Sequence, residues 1–269
     1  MKTRSLFPIL LVGWFAATAA ADDASLRDLS AAASQCAPQF FACNGGDRAA
    51  TLGRSDCQSA HGRAFDLYSF GARAGEMITV SLAAERFGGY VALVNPQGRI
   101  VETSEVAPGG NAFVALEAPE DGVYDVIAST STAGADGDYN VSVACLPVEA
   151  ADFTPCTGGD SLCLANGRFR VETWWQTHDG TTGRGVGNAI SDDTGYFWYF
   201  QEGTAEVMVK ALDGCSVNGH KWIFAGGLTD VHSAVRVTDT EAQETAWYFN
   251  PHRTPFRAVQ DTAALATCG

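Results

Sequence analysis

The chain has 269 residues, of which 46% are apolar and 18% charged, so it can bury at least one full hydrophobic core and is neither disordered nor fibrous. Its 31 acidic residues outnumber 17 basic ones, which gives a formal net charge of −14. Such an excess of negative charge repels phosphate-rich partners, and this argues against nucleic acid and anionic membrane surfaces as targets.

The first 21 residues have the pattern of a secretory signal peptide. Lys2 and Arg4 precede an apolar run from Leu6 to Ala17, and small residues at positions 19–21 precede two aspartates. The run is shorter than the roughly 18 residues that a membrane-spanning helix needs, and small residues before a polar segment are typical of a cleavage site. We therefore predict a cleaved signal, no membrane span, and a secreted, periplasmic or cell-surface protein.

The eight cysteines predict a disulfide framework. An even number of cysteines is typical of an exported chain, and no Cys-x-x-Cys pair indicates a zinc ribbon or a thioredoxin-like site. Sequence alone allows 105 pairings of eight cysteines. From their positions relative to the predicted strands, we predict the pairs Cys36–Cys43, Cys57–Cys145, Cys163–Cys215 and Cys156–Cys268.

Residues 22–56 are rich in Ala, Ser and Gly and predict a lead-in segment with one short helix near Ala24 to Ser34. Short strand-like runs separated by turn residues follow at a spacing of about ten residues, which is typical of a β-sandwich. The predicted strands are Ala64–Phe70, Met77–Leu82, Tyr90–Val94, Ile100–Thr103, Ala112–Leu116, Val123–Ala128 and Tyr139–Ala144.

Residues 57–146 also carry a set of motifs in a characteristic order. These motifs are Asp66–Phe70, Ala74–Leu82, Asn95–Gly98, Asp121–Val126 and Gly137–Val143. With them the block resembles the bacterial pre-peptidase C-terminal (PPC) domain, a small jelly-roll-like β-sandwich of exported proteins. The resemblance implies an accessory module, sometimes linked to substrate or matrix binding, rather than a catalytic one.

After a short linker at 147–155, residues 156–269 predict a second antiparallel β-domain, because no window has a sustained helical period. The phrases Gly167–Val171, Asp193–Trp198 and Leu212–Cys215 resemble a Cys/Trp-rich module of exported bacterial proteins that implies no particular activity. The glycine-rich stretch Gly183–Gly187 lacks the context of a phosphate-binding loop and is interpreted as a flexible loop. The predicted strands are Arg168–Trp175, Tyr196–Gln201, Ala205–Leu212, Lys221–Ala225, Ala234–Thr238 and Thr245–Asn250.

The predicted fold is therefore all-β, with two consecutive antiparallel β-sandwich domains stapled by disulfides after a signal peptide. Five of the six tryptophans lie in the second domain. Within the aromatic run from Tyr196 to Phe200, strand alternation puts Tyr196, Trp198 and Phe200 on one face and Phe197 and Tyr199 on the other. One face is core, while the other is either covered or a platform for a ligand. The candidate ligand-binding residues are Trp174, Tyr196, Trp198 and Trp222.

Signatures of catalysis and of metal binding are weak. The sequence has no Gly-x-Ser-x-Gly motif and no zinc-type histidine spacing, so the histidines of the second domain are interpreted as surface-loop residues. The acidic loops at 136–138 and 192–193 are compatible with calcium, although Asx turns explain them more simply. We predict no catalytic residues, no metal site and no cofactor.

These observations favour a secreted, non-catalytic accessory protein that binds an extracellular polysaccharide or protein through its second domain. One alternative is a secreted hydrolase or peptidase-associated protein, with a site in the second domain formed by scattered acids and histidines. Another is a structural component of the cell exterior. Exposure of the tryptophans favours the binding hypothesis, whereas convergence of histidines, a carboxylate and a pocket favours the hydrolase.

Overall fold

The structure, a computed structural model, describes residues 23–268, and almost all of its regular secondary structure is β-strand, which confirms the predicted all-β fold class. It forms two compact units: the first contains residues 23–149 with Gln176–Thr182, and the second contains residues 150–175 and 183–268. The predicted signal peptide lies outside the described residues. Among residues 23–268, no helix combines the length and the apolar composition needed to cross a membrane.

The first unit is a sandwich of two sheets, ordered β1-β4-β9-β6-β7, with β3 beside β4, and β2-β10-β5-β8. All of these pairs are antiparallel except the parallel β1–β4 pair. The elements are α1 Asp23–Ala33, β1 Gln39–Phe40, β2 Asp47–Leu52, β3 Cys57–Gln58, β4 Ala64–Ala72, β5 Met77–Ala83, β6 Gly89–Val94, β7 Ile100–Glu105, β8 Asn111–Glu117, β9 Gly122–Thr130 and β10 Gly137–Leu146.

All seven strands predicted for this block are present, each within two residues of its expected bounds. Their core-facing side chains form one apolar cluster that includes Tyr68, Ile78, Val80 and Tyr124. The segment 22–56, expected only as a lead-in, also contributes two strands: β1 pairs with β4, and β2 pairs with β10 over six positions. The polar sequence of β2 hides this role, because five of its six side chains stay partly or fully exposed and only Leu52 is buried.

Helix α1 covers part of the outer face of the larger sheet of the first unit. Leu29 is fully buried in a second apolar cluster with side chains such as Phe65, Tyr90 and Ile127. The carboxylate of Asp28 accepts hydrogen bonds from the backbone N–H of Ala60 at 2.9 Å and from Nδ1 of His61 at 2.8 Å. These contacts fix the helix to the turn that precedes β4.

The anchoring of α1 by Asp28 is expected to weaken in acid. Burial by itself raises the pKa of Asp28, but hydrogen bonds from His61, Ser59 and the backbone of Ala60 outweigh it and lower the pKa from 3.8 to about 2. The stabilisation is therefore complete above pH 3.8 and is lost as the pH falls through about 2. In urea titrations, Asp28→Asn should lower the unfolding midpoint of the first unit at pH 6, and the gap to wild type should close near pH 2.

Asp136→Asn is the matched control for this experiment, since Asp136 is an exposed aspartate on a loop of the same unit. It should leave the urea midpoint unchanged at both pH values. A gap between Asp28→Asn and wild type that is as large near pH 2 as at pH 6 would show that the charge of Asp28 does not anchor the helix.

The second unit has two five-stranded sheets. One has the order β11-β12-β18-β19 with β13 beside β12, and the other has the order β14-β15-β16-β17-β20. The elements are β11 Leu162–Leu164, β12 Phe169–Gln176, β13 Thr182–Arg184, β14 Val186–Ala189, β15 Thr194–Trp198, β16 Val207–Asp213, α2 Cys215–Asn218, β17 Lys221–Gly227, β18 His232–Asp239, β19 Glu244–Asn250 and β20 Val259–Leu265.

The six strands predicted for this block are present, and four further strands, β11, β13, β14 and β20, were not predicted. The expectation of a flexible loop at Gly183–Gly187 is wrong, because β13 and β14 meet at Gly185 and link the two sheets. The N–H of Gly185 donates to the carbonyl of Thr173 at 3.0 Å, and a Cβ at Gly185 would lie 2.8 Å from the ring of Tyr199. The glycine serves close packing here rather than flexibility.

All eight cysteines form disulfides, as predicted, but each predicted pairing is wrong. The observed pairs are Cys36–Cys57, Cys43–Cys145, Cys156–Cys163 and Cys215–Cys268, so the predicted Cys36–Cys43, Cys57–Cys145, Cys163–Cys215 and Cys156–Cys268 do not occur. The physical reason is strand pairing: Cys43 precedes β2 and Cys145 lies on β10, the neighbour of β2. Without β2, the sequence gives no sign that these two cysteines meet.

Candidate functional site

The candidate site is the outer face of the sheet that contains β15, β16 and β17. Phe197 on β15, Val209 on β16 and Ile223 on β17 are buried in the core of the second unit. Because side chains alternate along a strand, their neighbours on the same strands point to the other side. These outward residues include Tyr196, Trp198, Met208, Trp222 and Phe224, and we call this group the aromatic face.

Strand register places the aromatic face in a line. Tyr196 lies opposite Met208, and Met208 lies opposite Gly226. Phe224 precedes Gly226 by two residues on the same face of β17. From Trp198 on β15 to Trp222 on β17, the line crosses two strand spacings and extends about 20 Å along the strands. The face therefore has the dimensions of an extended strip rather than of a pocket.

The aromatic face is accessible to solvent. Met208 is 46% exposed, and the four rings are half-buried. Within residues 23–268, no hydrogen bond engages the hydroxyl of Tyr196 or the indole N–H of Trp198. Both polar groups are therefore free to bond to a ligand that lies on the rings.

Trp222 is held in a fixed orientation at one end of the line. Its Nε1 donates a hydrogen bond to Oδ1 of Asn218 at 2.9 Å. Gly214 packs against the indole so closely that a side chain at this position would collide with the ring. A preorganised ring loses little conformational freedom when a ligand binds.

The charge on this side of the sheet is balanced. Lys210, in the middle of the face, has its Nζ 3.6 Å from Oδ2 of Asp193. Hydrogen bonds from Thr194 and Ser191, with a contribution from Lys210, lower the pKa of Asp193, so this carboxyl stays ionised and compensates the lysine. Asp192 accepts the N–H of Asn166 at 2.7 Å, and both carboxylates of this acidic loop thus have donors from the protein itself.

Trp174 does not belong to the face, and its prediction as a ligand contact is wrong. It is only 1% exposed and lies on the other sheet, on β12, where its ring contacts Trp247 at a centroid distance of 5.5 Å. The guanidinium groups of Arg184 and Arg236 lie 5.4 and 5.0 Å from the Trp174 ring centroid. The ring is thus occupied by cation–π contacts inside the protein.

Two of the histidines in the second unit lie in its interior. His232 and His252 are buried and stack at a centroid distance of 5.6 Å, so the surface-loop interpretation is wrong for these two. Burial, together with the neighbouring His252, lowers the pKa of His232 to about 3, and the ring is neutral at pH 7. His178 lies 3.4 Å from Asp47 in the first unit, but the open pocket beside Cys43 in that unit has no histidine in its lining.

Three members of the aromatic face are among the residues predicted from the sequence: Tyr196, Trp198 and Trp222. Met208 and Phe224 are not. The missing signal was alternation in the neighbouring strands. Val207 and Val209 flank Met208, and Ile223 and Ala225 flank Phe224, so each omitted residue stands between two core positions.

No family model matches the chain, and no curated protein matches it. Among solved structures, it is similar to the PPC domain of a collagenase from Bacillus anthracis, with 17% identity over 40% of this chain and 94% of that one, at a TM-score of 0.32. It is also similar to a lipase from Bacillus licheniformis in propeptide form, with 13% identity over 76% of this chain and 43% of that one, at a TM-score of 0.25. The chain thus spans less than half of the lipase.

Both TM-scores are too low to carry an argument. The resemblance of the second block to an exported Cys/Trp-rich module has no counterpart in these matches. The fold and its cysteines define the class: a two-unit β-protein with four disulfides, which is typical of proteins outside the cytoplasm.

Proposed function

We propose that the protein is an exported, non-catalytic accessory protein whose second unit binds an extended extracellular polymer on the aromatic face. The observation that carries this proposal is the solvent-facing line of four rings and Met208 on a sheet whose other side is already a complete core. Packing of the core already explains the apolar side chains on the inner side of the sheet. It does not explain a contiguous, accessible strip of aromatic side chains on the outer side, which is typical of a binding surface. The first unit serves as an accessory sandwich, as its PPC-like motifs imply.

Removing rings from the aromatic face is expected to abolish binding without unfolding the second unit. Trp198→Ala and Tyr196→Ala each delete a partly exposed ring and should reduce retention on the target polymer at least tenfold, in line with the energies of binding hot spots. The measurement is a pull-down of the mature protein with insoluble polysaccharides, collagen and cell-wall material, with near-UV circular dichroism to verify the fold.

Phe40→Ala is the matched control, because Phe40 is 77% exposed on the first unit and lies outside the aromatic face. This variant should retain full binding. If no material retains the wild-type protein, or if the two ring deletions bind as well as wild type, the aromatic face has no role in binding.

A further inference from the structure

We infer that the polymer on the aromatic face is a neutral polysaccharide laid lengthwise along the line from Trp198 to Trp222. This inference rests on the proposed function and adds the chemical class of the ligand. Three properties of the face carry it: its charge, its area and the polar groups at its margins.

Charge excludes polyanionic chains. The cation at the centre of the face, Lys210, forms an ion pair with Asp193, whose Oδ2 lies 3.6 Å from the lysine Nζ. The chain as a whole carries a formal charge of −14, so a uronate, sulfate or phosphate polymer would meet a repulsive field and no unpaired cation among the face residues. A neutral polysaccharide is not repelled by the negative charge of the protein and needs no cation as a partner.

Area argues against a protein partner. From strand spacing, the line is about 20 Å long and two to three strands wide, or about 200–300 Å². A standard protein–protein interface buries roughly 800 Å² on each partner, so the aromatic face alone is too small for one. A single polymer chain in contact with a strip of rings needs no larger surface.

The margins of the face carry uncharged hydrogen-bonding side chains. Asn188 on β14 lies opposite Tyr196, and Gln260 on β20 lies opposite Phe224. The row of rings therefore has an amide side chain on each side, and the Tyr196 hydroxyl and the Trp198 N–H lie between the two amides. This arrangement suits a ligand whose rings have apolar faces and whose edges carry hydroxyl groups. A chain of sugar rings has this distribution of apolar and polar groups.

Dissociation constants of the mature protein should be measured by affinity electrophoresis and by depletion. The neutral probes are hydroxyethylcellulose, xylan and mannan, the anionic probes are alginate and polygalacturonate, and collagen represents proteins. We expect binding to at least one neutral polysaccharide, with a constant that changes less than twofold between 50 and 500 mM NaCl, because an uncharged ligand is not screened. Trp198→Ala should weaken this binding at least tenfold, and Tyr196→Phe, which keeps the ring, should weaken it far less.

The possible failures can be told apart. Binding only to alginate, polygalacturonate or collagen, with the same loss in Trp198→Ala, overturns the neutral-polysaccharide inference and leaves the proposed function standing. Binding to a neutral polysaccharide that Trp198→Ala and Tyr196→Ala leave unchanged overturns both, because another surface is then responsible. Binding to none of the probes or insoluble materials also overturns both.

Discussion

Replacing Glu172 with alanine is expected to lower the free energy of unfolding of the second unit by about 3–5 kcal/mol, because it removes a buried carboxylate that pairs with a buried arginine. Glu172 lies on β12 and is 7% exposed, while its partner Arg236 on β18 is 3% exposed. The carboxylate accepts hydrogen bonds from Nε and Nη2 of Arg236 at 3.1 and 2.6 Å, and from Nη2 of Arg184 at 2.9 Å.

The two arginines are also held by aromatic rings, which increases the cost of freeing them. The guanidinium of Arg236 lies 5.0 Å from the ring centroid of Trp174 and 5.4 Å from that of Trp247. An arginine fixed between two rings cannot move to solvent without giving up these contacts. We therefore expect the loss of Glu172 to be destabilising rather than relieved by rearrangement.

Urea denaturation followed by tryptophan fluorescence measures this effect selectively. Every tryptophan among residues 23–268 lies in the second unit, so the fluorescence change reports that unit. The matched control is Glu241→Ala: Glu241 also pairs with an arginine, Arg168 at 3.2 Å, but its side chain is 67% exposed, and an exposed pair contributes about 0–1 kcal/mol. Equal effects of the two substitutions would contradict a special role for the buried cluster.

Removing the Cys43–Cys145 disulfide is expected to have the second largest effect. Its cysteines are 102 residues apart, and the loop-entropy relation gives about 4.7 kcal/mol for a ring of this size. The Cys156–Cys163 disulfide spans 7 residues, for which the same relation gives about 2.4 kcal/mol. The Cys43→Ala/Cys145→Ala variant should therefore lose about twice as much stability as Cys156→Ala/Cys163→Ala.

Contacts around Cys145 add to the expected difference. The amide side chain of Asn44, next to Cys43, accepts from the Cys145 N–H at 2.9 Å and donates to the Cys145 carbonyl at 3.0 Å. Loss of the disulfide releases this pairing at the end of β10. Differential scanning calorimetry can follow the transition of each unit in each variant, and a larger loss for the Cys156–Cys163 deletion would contradict loop size as the controlling factor.

Alternation and turn residues in the sequence were enough to predict most strands of both units. Runs such as Met77–Leu82 place apolar residues at every second position, and a strand of a sandwich needs this pattern to bury one face. The same rule put Phe197 and Tyr199 on one face and Tyr196 and Trp198 on the other, and the structure buries the first two in the core. Composition and cysteine number likewise predicted a disulfide-stapled all-β chain.

Other features depend on contacts between distant residues. Strand β2 is too polar to be recognised alone, and it is defined by pairing with β10, which lies about 90 residues away in the chain. The disulfide pattern follows from that pairing, since Cys43 meets Cys145 only when the two strands are neighbours. The passage of the chain from one sheet to the other at Gly185 likewise depends on contacts with Thr173 and Tyr199, which the local sequence does not reveal.

Composition and strand alternation are local properties, and each strand carries its own pattern, so they were enough to predict the class of fold. Which tryptophans a ligand can reach depends instead on how the strands are assembled. Trp174 and Trp198 are equally aromatic and both lie on strands, but Trp174 is enclosed by Arg184, Arg236 and Trp247, whereas Trp198 faces solvent beside Tyr196. That difference arises from which strands pair and which side of each sheet is covered, and no single segment of the chain encodes it.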